Sequence, residues 1–127
     1  MNGSIWIRLG AISGFIAVAA GAFAVHGLEG KIEPRLLAVF KTGADYQMAH
    51  ALALVLVGAL VLCRGRSRGL DIAGWAFLVG SVLFAGSLYA LALSGVRALG
   101  AITPIGGVGF LVGWGALAMA VGARRRI

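Results

Sequence analysis

The chain has 127 residues, of which 61% are hydrophobic, and its net charge of +7 comes from only 11 basic and four acidic side chains. The length is that of one domain, but the hydrophobic fraction exceeds that of soluble domains, which excludes a water-soluble globular fold. The positive charge does not form a basic stripe interleaved with aromatic residues, which excludes a nucleic-acid-binding surface.

Four apolar stretches are separated by short segments that hold most of the charged residues. The stretches cover residues 9–25, 47–63, 72–94 and 104–122. Each holds roughly 17 to 23 residues, which is enough for a helix to cross the hydrocarbon core of a bilayer. The sequence therefore predicts an all-α polytopic membrane protein, in which residues 1–127 form one compact bundle of four transmembrane helices.

The distribution of basic residues predicts the orientation of the chain. Four spans place seven basic residues on one side: Arg8, Arg64, Arg66, Arg68, Arg124, Arg125 and Arg126. By the positive-inside rule we expect both termini in the cytoplasm. Because no amphipathic Arg- and Ser-rich transit segment precedes the first span, a bacterial inner membrane is favoured over a mitochondrial one.

The first outer connection, residues 26–46, is long for a link between bundle helices and is predicted to hold structure of its own. Pro34 suits the first turn of a helix, because a proline there loses no hydrogen bond. We therefore expect a short interfacial helix in this loop. Gly43 then marks a bend into the second span, although one continuous helix is also allowed.

Two residues predict the ends of the third span. Asp71 precedes its first apolar residues and can accept a hydrogen bond from a free backbone N–H, as an N-cap does. Gly95 follows its last residue and suits the left-handed conformation that ends many helices. The third helix is thus expected to occupy residues 72–94.

Glycine accounts for 21 residues, most of them inside the predicted spans. Helices in lipid associate through close backbone approach at small residues spaced four apart. Six glycines are predicted to form helix contacts: Gly10, Gly14, Gly21, Gly80, Gly109 and Gly113. Packing within one chain is favoured over packing between protomers, because four helices need seams of their own.

Polar side chains gather where the chain enters the second span. Helical spacing places Tyr46, Gln47 and His50 in one patch just after Asp45, and His26 ends the first span at the same predicted depth. Two histidines on two helices suggest a site for a metal, a haem, a quinone or a lipid headgroup. A structural hydrogen-bonded network is favoured, since a third metal ligand is lacking and glycine packing leaves little room for haem.

Reactive chemistry is scarce elsewhere. Ser81, Ser87 and Ser94 can bond to their own helix or to a neighbour, and no histidine and acid are spaced to activate one as a nucleophile. No ionisable side chain is predicted at mid-membrane, which counts against a proton relay or an ion-coupled pump. We expect no enzymatic activity, no metal and no cofactor. The expected partners are membrane lipids, a larger membrane complex or further copies of the chain.

Four motifs in order resemble the small membrane protein family called domain of unknown function 423. They are GAFAVHGL at 21–28, FKTGADYQMAHALAL at 40–54, LFAGSLYALALSG at 83–95 and LGAITPIGGVGFLVGW at 99–114. The resemblance implies about four membrane helices, and it assigns the recurrent histidines of the family to His26 and His50. No enzymatic activity follows from it.

Three functions are compatible with these observations. The favoured one is a non-enzymatic accessory, assembly or structural subunit that docks on itself or on a larger membrane complex. The second is binding of a small molecule, a lipid, a quinone or a metal or haem at the outer cluster of His26, Asp45, Tyr46, Gln47 and His50. The third is an oligomeric transporter or channel, which needs a polar seam between protomers.

Overall fold

The computed structural model describes residues 1–123, and within them the chain is helical, with no strand. The four long helices are α1 (Gly3–Phe23), α2 (Pro34–Arg64), α3 (Arg68–Ser94) and α4 (Thr103–Ala123). A π-helix, Ala24–Leu28, extends α1, and a 3-10 helix, Arg97–Ala101, precedes α4. All four are long and apolar enough to cross a membrane, which confirms the predicted four-helix membrane bundle. Arg124, Arg125 and Arg126, used to predict orientation, lie outside the described residues.

α2 differs most from the prediction. It begins at Pro34, as expected, but continues through Gly43 without a break into the second span. The short interfacial helix predicted for the first loop is therefore the first part of α2. Phe40 holds this part against the bundle, because it packs in a small core with Leu28 and Ala92.

α3 begins earlier than predicted and ends where predicted. Its N-cap is Ser67, whose hydroxyl oxygen accepts a hydrogen bond from the Leu70 backbone N–H at 3.2 Å. Asp71 lies inside the first turn, so its assignment as the N-cap is wrong. Gly95 ends the helix at φ 75°, with its N–H donating to the Leu91 carbonyl at 2.7 Å. This left-handed conformation favours glycine.

Two seams of close backbone contact join neighbouring helices. Between α1 and α2, a methyl group at Gly10 would lie 2.8 Å from the Ala51 carbonyl oxygen. Between α3 and α4, a methyl group at Gly80 would lie 3.0 Å from the Gly106 carbonyl oxygen. A side chain at either position would push the helices apart, so each seam requires a glycine there. The α3–α4 seam includes two more of the predicted glycines, Gly109 and Gly113.

The remaining predicted glycines contribute little. A methyl group at Gly14 would make ordinary contact with Ala51, at 3.7 Å, and one at Gly21 would meet nothing within 4 Å. The predicted helix contact at Gly21 is therefore wrong. Gly58 and Gly74, which were not among the predicted glycines, also pack closely: an added methyl group at either would overlap α1 atoms at 2.5 Å.

The main core occupies the end of the bundle that carries the α2–α3 connection. Its largest fully buried side chains are Trp6, Phe77, Leu54, Leu70 and Val57. α1 and α3 run in the same direction, and Trp6 of α1 fits against Gly74 of α3, with its ring edge-on to Trp75 at 5.6 Å. Further along, α1 and α3 separate and leave a groove between them.

Candidate functional site

Gln47 lies at the centre of a hydrogen-bonded network that joins three helices. Its side chain is only 8% exposed. Its Nε2 donates to the Ser13 hydroxyl of α1 at 3.1 Å, and its Oε1 accepts from the Tyr89 hydroxyl of α3 at 2.6 Å. An amide buried among apolar side chains is costly unless it is hydrogen-bonded. These contacts therefore favour the orientations of α1 and α3 that turn Ser13 and Tyr89 toward Gln47.

His50, about one turn further along α2, uses both ring nitrogens. The Trp114 indole N–H donates to Nε2 at 3.1 Å, and Nδ1 lies 2.7 Å from the Tyr46 carbonyl oxygen. Because an indole nitrogen is always a donor, Nε2 accepts, and the neutral ring carries its proton on Nδ1. Nδ1 then donates to the carbonyl. In this arrangement neither nitrogen has a lone pair available to a metal ion or a haem iron.

Aromatic rings from α2, α3 and α4 surround His50. The ring of Phe110 stacks on the imidazole with centroids 3.5 Å apart, and Phe77 lies 5.7 Å away. Tyr46 is half-exposed and packs against Phe84 at 4.7 Å. Ring pairs with centroids about 4.5 to 7 Å apart, as in His50–Phe77 and Tyr46–Phe84, are stabilised beyond the area they bury. His50 and Tyr46 therefore contribute to packing as much as to hydrogen bonding.

The five residues of the predicted outer cluster do not come together. His26 is exposed in the π-helix, whereas His50 is buried and lies next to Ala51, which contacts Gly14 of α1. Roughly 12 residues of helix, or about 18 Å, separate the level of Gly14 from His26. The predicted common depth of the two histidines is therefore wrong. Asp45 is exposed on α2 and makes no hydrogen bond to the buried network.

His50 was predicted at the outer rim, but it is buried inside the bundle. It lies 16 residues after Pro34 and 14 before Arg64, near the centre of α2. The whole network therefore occupies the apolar interior of the bundle and not its outer rim. Within the described residues, no three His, Cys, Asp or Glu side chains are close enough to hold a metal ion.

A groove of about 320 Å³ lies between α1 and α3 beside this network. Its polar lining consists of Ser13, Gln47, Ser81 and Tyr89, and the rest is apolar. Ser81 is 5% exposed, and its hydroxyl oxygen has no hydrogen-bond partner. The expectation that this serine bonds to its own helix or to a neighbour is therefore wrong, although Ser87 does so.

Comparison with known proteins identifies the family. The family model described as "Protein of unknown function (DUF423)" matches residues 20–107, which is more than half of the chain. The chain belongs to the DUF423 family. The match contains all of α2 and α3, and hence Gln47, His50, Ser81 and Tyr89.

Relatives of this DUF423 protein are named as membrane proteins. The UPF0382 membrane protein YwdK of Bacillus subtilis is 47% identical over 110 residues, which cover 87% of this chain and 89% of YwdK. A UPF0382 membrane protein of Staphylococcus epidermidis is 46% identical over 116 residues, or 91% and 93% of the two chains. One of Haemophilus influenzae is 44% identical over 113 residues, or 89% and 90%. No solved structure matches. Together with the four apolar helices, these relatives show a multi-pass membrane protein.

Sequence reasoning missed several polar members of this DUF423 site. Ser13, Tyr89 and Trp114 were not assigned to any site, and Ser81 was expected to bond to its own helix or to a neighbour. A signal was present, because each residue lies well inside an apolar span. A hydrogen-bonding side chain there is costly without a partner and often has a function.

A larger depression of about 800 Å³ lies at the start of α3, away from the network. Its lining includes Arg66, Arg68, Asp71 and Trp75. Arg66 and Asp71 form an ion pair at 3.2 Å. Arginine and tryptophan together are typical of the interface between a membrane and water, so this depression suits contact with lipid headgroups in general.

Proposed function

We propose that this DUF423 protein is a non-enzymatic accessory or assembly subunit of the bacterial inner membrane that docks against another membrane protein through α4. Both termini face the cytoplasm, as the basic residues of the sequence predict. The docking partner is an apolar transmembrane helix, from another protein or from a second copy of this chain.

The observation that carries the proposal is the outer face of α4. Three of its glycines, Gly107, Gly115 and Gly122, have no atom within 4 Å of an added methyl group. Leu111 and Met119 alternate with them and are 72% and 77% exposed. Helical spacing puts all five on one face. Such a face, with small and large residues in turn, permits the close approach by which helices associate in lipid.

The buried polar groups support a scaffold role. The amide of Gln47 and Nε2 of His50 are engaged in hydrogen bonds between helices, and Nδ1 of His50 bonds to a carbonyl of its own helix. A catalytic site requires groups that are free to exchange protons or to attack a substrate. The buried imidazole of His50 instead bonds to α4 and to its own helix, which favours a non-enzymatic role without a metal or a haem.

Affinity purification from native membranes tests the docking proposal. Gly115→Leu adds a large side chain to the α4 face without a clash inside the chain, and Gly21→Leu does the same on α1. We expect the wild type and Gly21→Leu to recover the same partner protein, or a second tagged copy of the chain. Gly115→Leu should reduce that recovery more than about tenfold, the effect of losing roughly 1.4 kcal/mol of association energy.

Two results would contradict docking through α4. One is equal recovery with Gly115→Leu and with the wild type. The other is a wild-type protein that behaves as a monodisperse monomer in mild detergent and recovers neither a partner nor a second copy. Circular dichroism of each variant verifies that its helix content is unchanged.

A further inference from the structure

The groove between α1 and α3 opens sideways, toward the lipid. Residues on both of its edges are well exposed, including Ile12 and Ile16 of α1 and Val82 of α3. None of the described residues that line the groove is Lys, Arg, Asp or Glu. Only a molecule that is uncharged and already dissolved in the membrane is suited to such a groove, because a charged group would have no partner there.

Two serine residues line this groove at the same height, one on α1 and one on α3. α1 and α3 run in parallel, and Trp6 of α1 meets Gly74 of α3. Ser13 and Ser81 each lie seven residues beyond that contact, about two helical turns, and both line the groove. Ser81 has 13 residues of α3 on either side of it, so this height is the centre of the span.

Both hydroxyls have a proton to donate. Ser81 has no hydrogen-bond partner although it is almost fully buried. Ser13 accepts from the Gln47 amide, which leaves its own O–H free to donate. The Tyr89 hydroxyl, by contrast, already donates to Gln47. The groove lining thus includes two serines whose O–H groups have no acceptor in the protein, which suits a ligand that carries hydrogen-bond acceptors.

We propose that this groove binds a neutral, lipid-soluble molecule with ring carbonyl groups, of the isoprenoid quinone class. Its carbonyl oxygens accept from the hydroxyls of Ser81 and Ser13, and its apolar tail leaves through the mouth between Ile16 and Val82. A volume of about 320 Å³ is at the lower end of the range of small-molecule sites and suits a substituted ring. Phospholipid carbonyls fit less well, since they lie near the headgroups and the two serines lie midway along α1 and α3.

The site differs from the outer cluster predicted from the sequence. It uses neither His26 nor His50, and it shares only Gln47, as a positioning residue for Ser13. It also lies between α1 and α3, whereas the docking face is on α4, so either proposal can fail without the other.

Equilibrium binding of decylbenzoquinone to the full chain in nanodiscs tests the proposal, with decylbenzene as the probe that lacks carbonyls. We expect saturable binding of decylbenzoquinone and no saturable binding of decylbenzene. Ser81→Ala should weaken quinone binding about fivefold, the usual effect of one hydrogen bond. The quinone also partitions into the lipid, but this background is the same for every variant.

A second variant tests the groove without removing a polar group. Gly86 lines the groove and has open space around an added methyl group, so Gly86→Leu should fill the groove and weaken binding more than about tenfold. Gly21→Leu, equally open but outside the groove lining, is the matched control and should bind as the wild type does. Equal binding by Gly86→Leu, or equal saturable binding of decylbenzene, would overturn the proposal.

Discussion

A glutamine and a histidine three residues apart on α2 are both buried at the centre of the bundle. Gln47 is satisfied by hydroxyl groups on α1 and α3, and His50 by an indole on α4 and a carbonyl of its own helix. Between them, the two side chains link α2 to every other helix. Because a polar group in hydrocarbon is costly without a partner, these bonds disfavour other rotations of the helices.

The difference between the two histidines is open to a direct test. Removing the buried ring by His50→Ala leaves a cavity and an unpaired Trp114 N–H, so we expect the free energy of unfolding to fall by about 2 to 4 kcal/mol. His26 is exposed, and His26→Ala should change the free energy of unfolding by less than about 0.5 kcal/mol. Unfolding by SDS titration in mixed micelles measures both. Equal effects of the two substitutions would contradict the placement of His50.

For Ser81 we predict that removal of the side-chain hydroxyl stabilises the protein. Its buried hydroxyl has no partner, and such a group costs about 1 to 3 kcal/mol. Ser81→Ala should therefore raise the free energy of unfolding of the ligand-free protein by about 1 kcal/mol. Ser87 bonds to the Phe84 carbonyl and to Thr103, so Ser87→Ala is the matched control and should lower the free energy of unfolding. A loss of stability in Ser81→Ala would mean that its hydroxyl is satisfied.

At the scale of the helices, the position of a glycine matters more than the number of glycines. The helix α4 has glycines packed against α3, such as Gly109, and glycines with open space beside them, such as Gly115. Glycines therefore occur on both kinds of face. Only the assembled structure distinguishes a seam inside the bundle from a face that is open to another molecule.

Two alanine substitutions separate these cases. A methyl group at Gly10 would lie 2.8 Å from a backbone oxygen of α2, which cannot rotate away. Gly10→Ala should therefore lower the free energy of unfolding by about 1 to 3 kcal/mol. Gly21 has open space, so Gly21→Ala should raise it by about 0.5 to 1 kcal/mol through helix propensity. The same SDS titration applies, and a stabilised Gly10→Ala would contradict the close α1–α2 seam.

At the scale of the whole molecule, the connections before α2 and before α3 lie at opposite ends of the bundle. Lys31 and Arg66 are exposed, one in each connection. In a Cys63→Ser background, we expect a membrane-impermeant maleimide to label Lys31→Cys in intact cells. Arg66→Cys should react only after permeabilisation. The reverse pattern would show that the positive-inside rule fails for this chain.

The sequence predicted the helices better than it predicted their contacts. The four spans and the end of α3 at Gly95 follow from hydropathy and local conformation, which act within a few residues. The second span was predicted to begin at residue 47, after a separate helix from Pro34, whereas the two form one continuous helix with Lys41, Thr42 and Asp45 on its exposed side. That error moved His50 from the centre of the span to the rim.

The network itself depends on which helices are neighbours and on how each is rotated. Gln47 meets Ser13 across 34 positions and Tyr89 across 42, and His50 meets Trp114 across 64. No local pattern encodes pairs so far apart. The composition indicates only that buried polar groups need partners, and the packing of the helices decides which ones they find.

The lateral mouth of the α1–α3 groove determines which concentration controls its occupancy. A molecule that arrives through the bilayer responds to its mole fraction among lipids, and its concentration in water is irrelevant. Solubilisation in excess detergent dilutes such a molecule many times over without any change in the protein. A groove that is filled in the cell can therefore be emptied by purification alone, whereas extraction with a disc of native lipid retains the molecule at its original ratio to the protein.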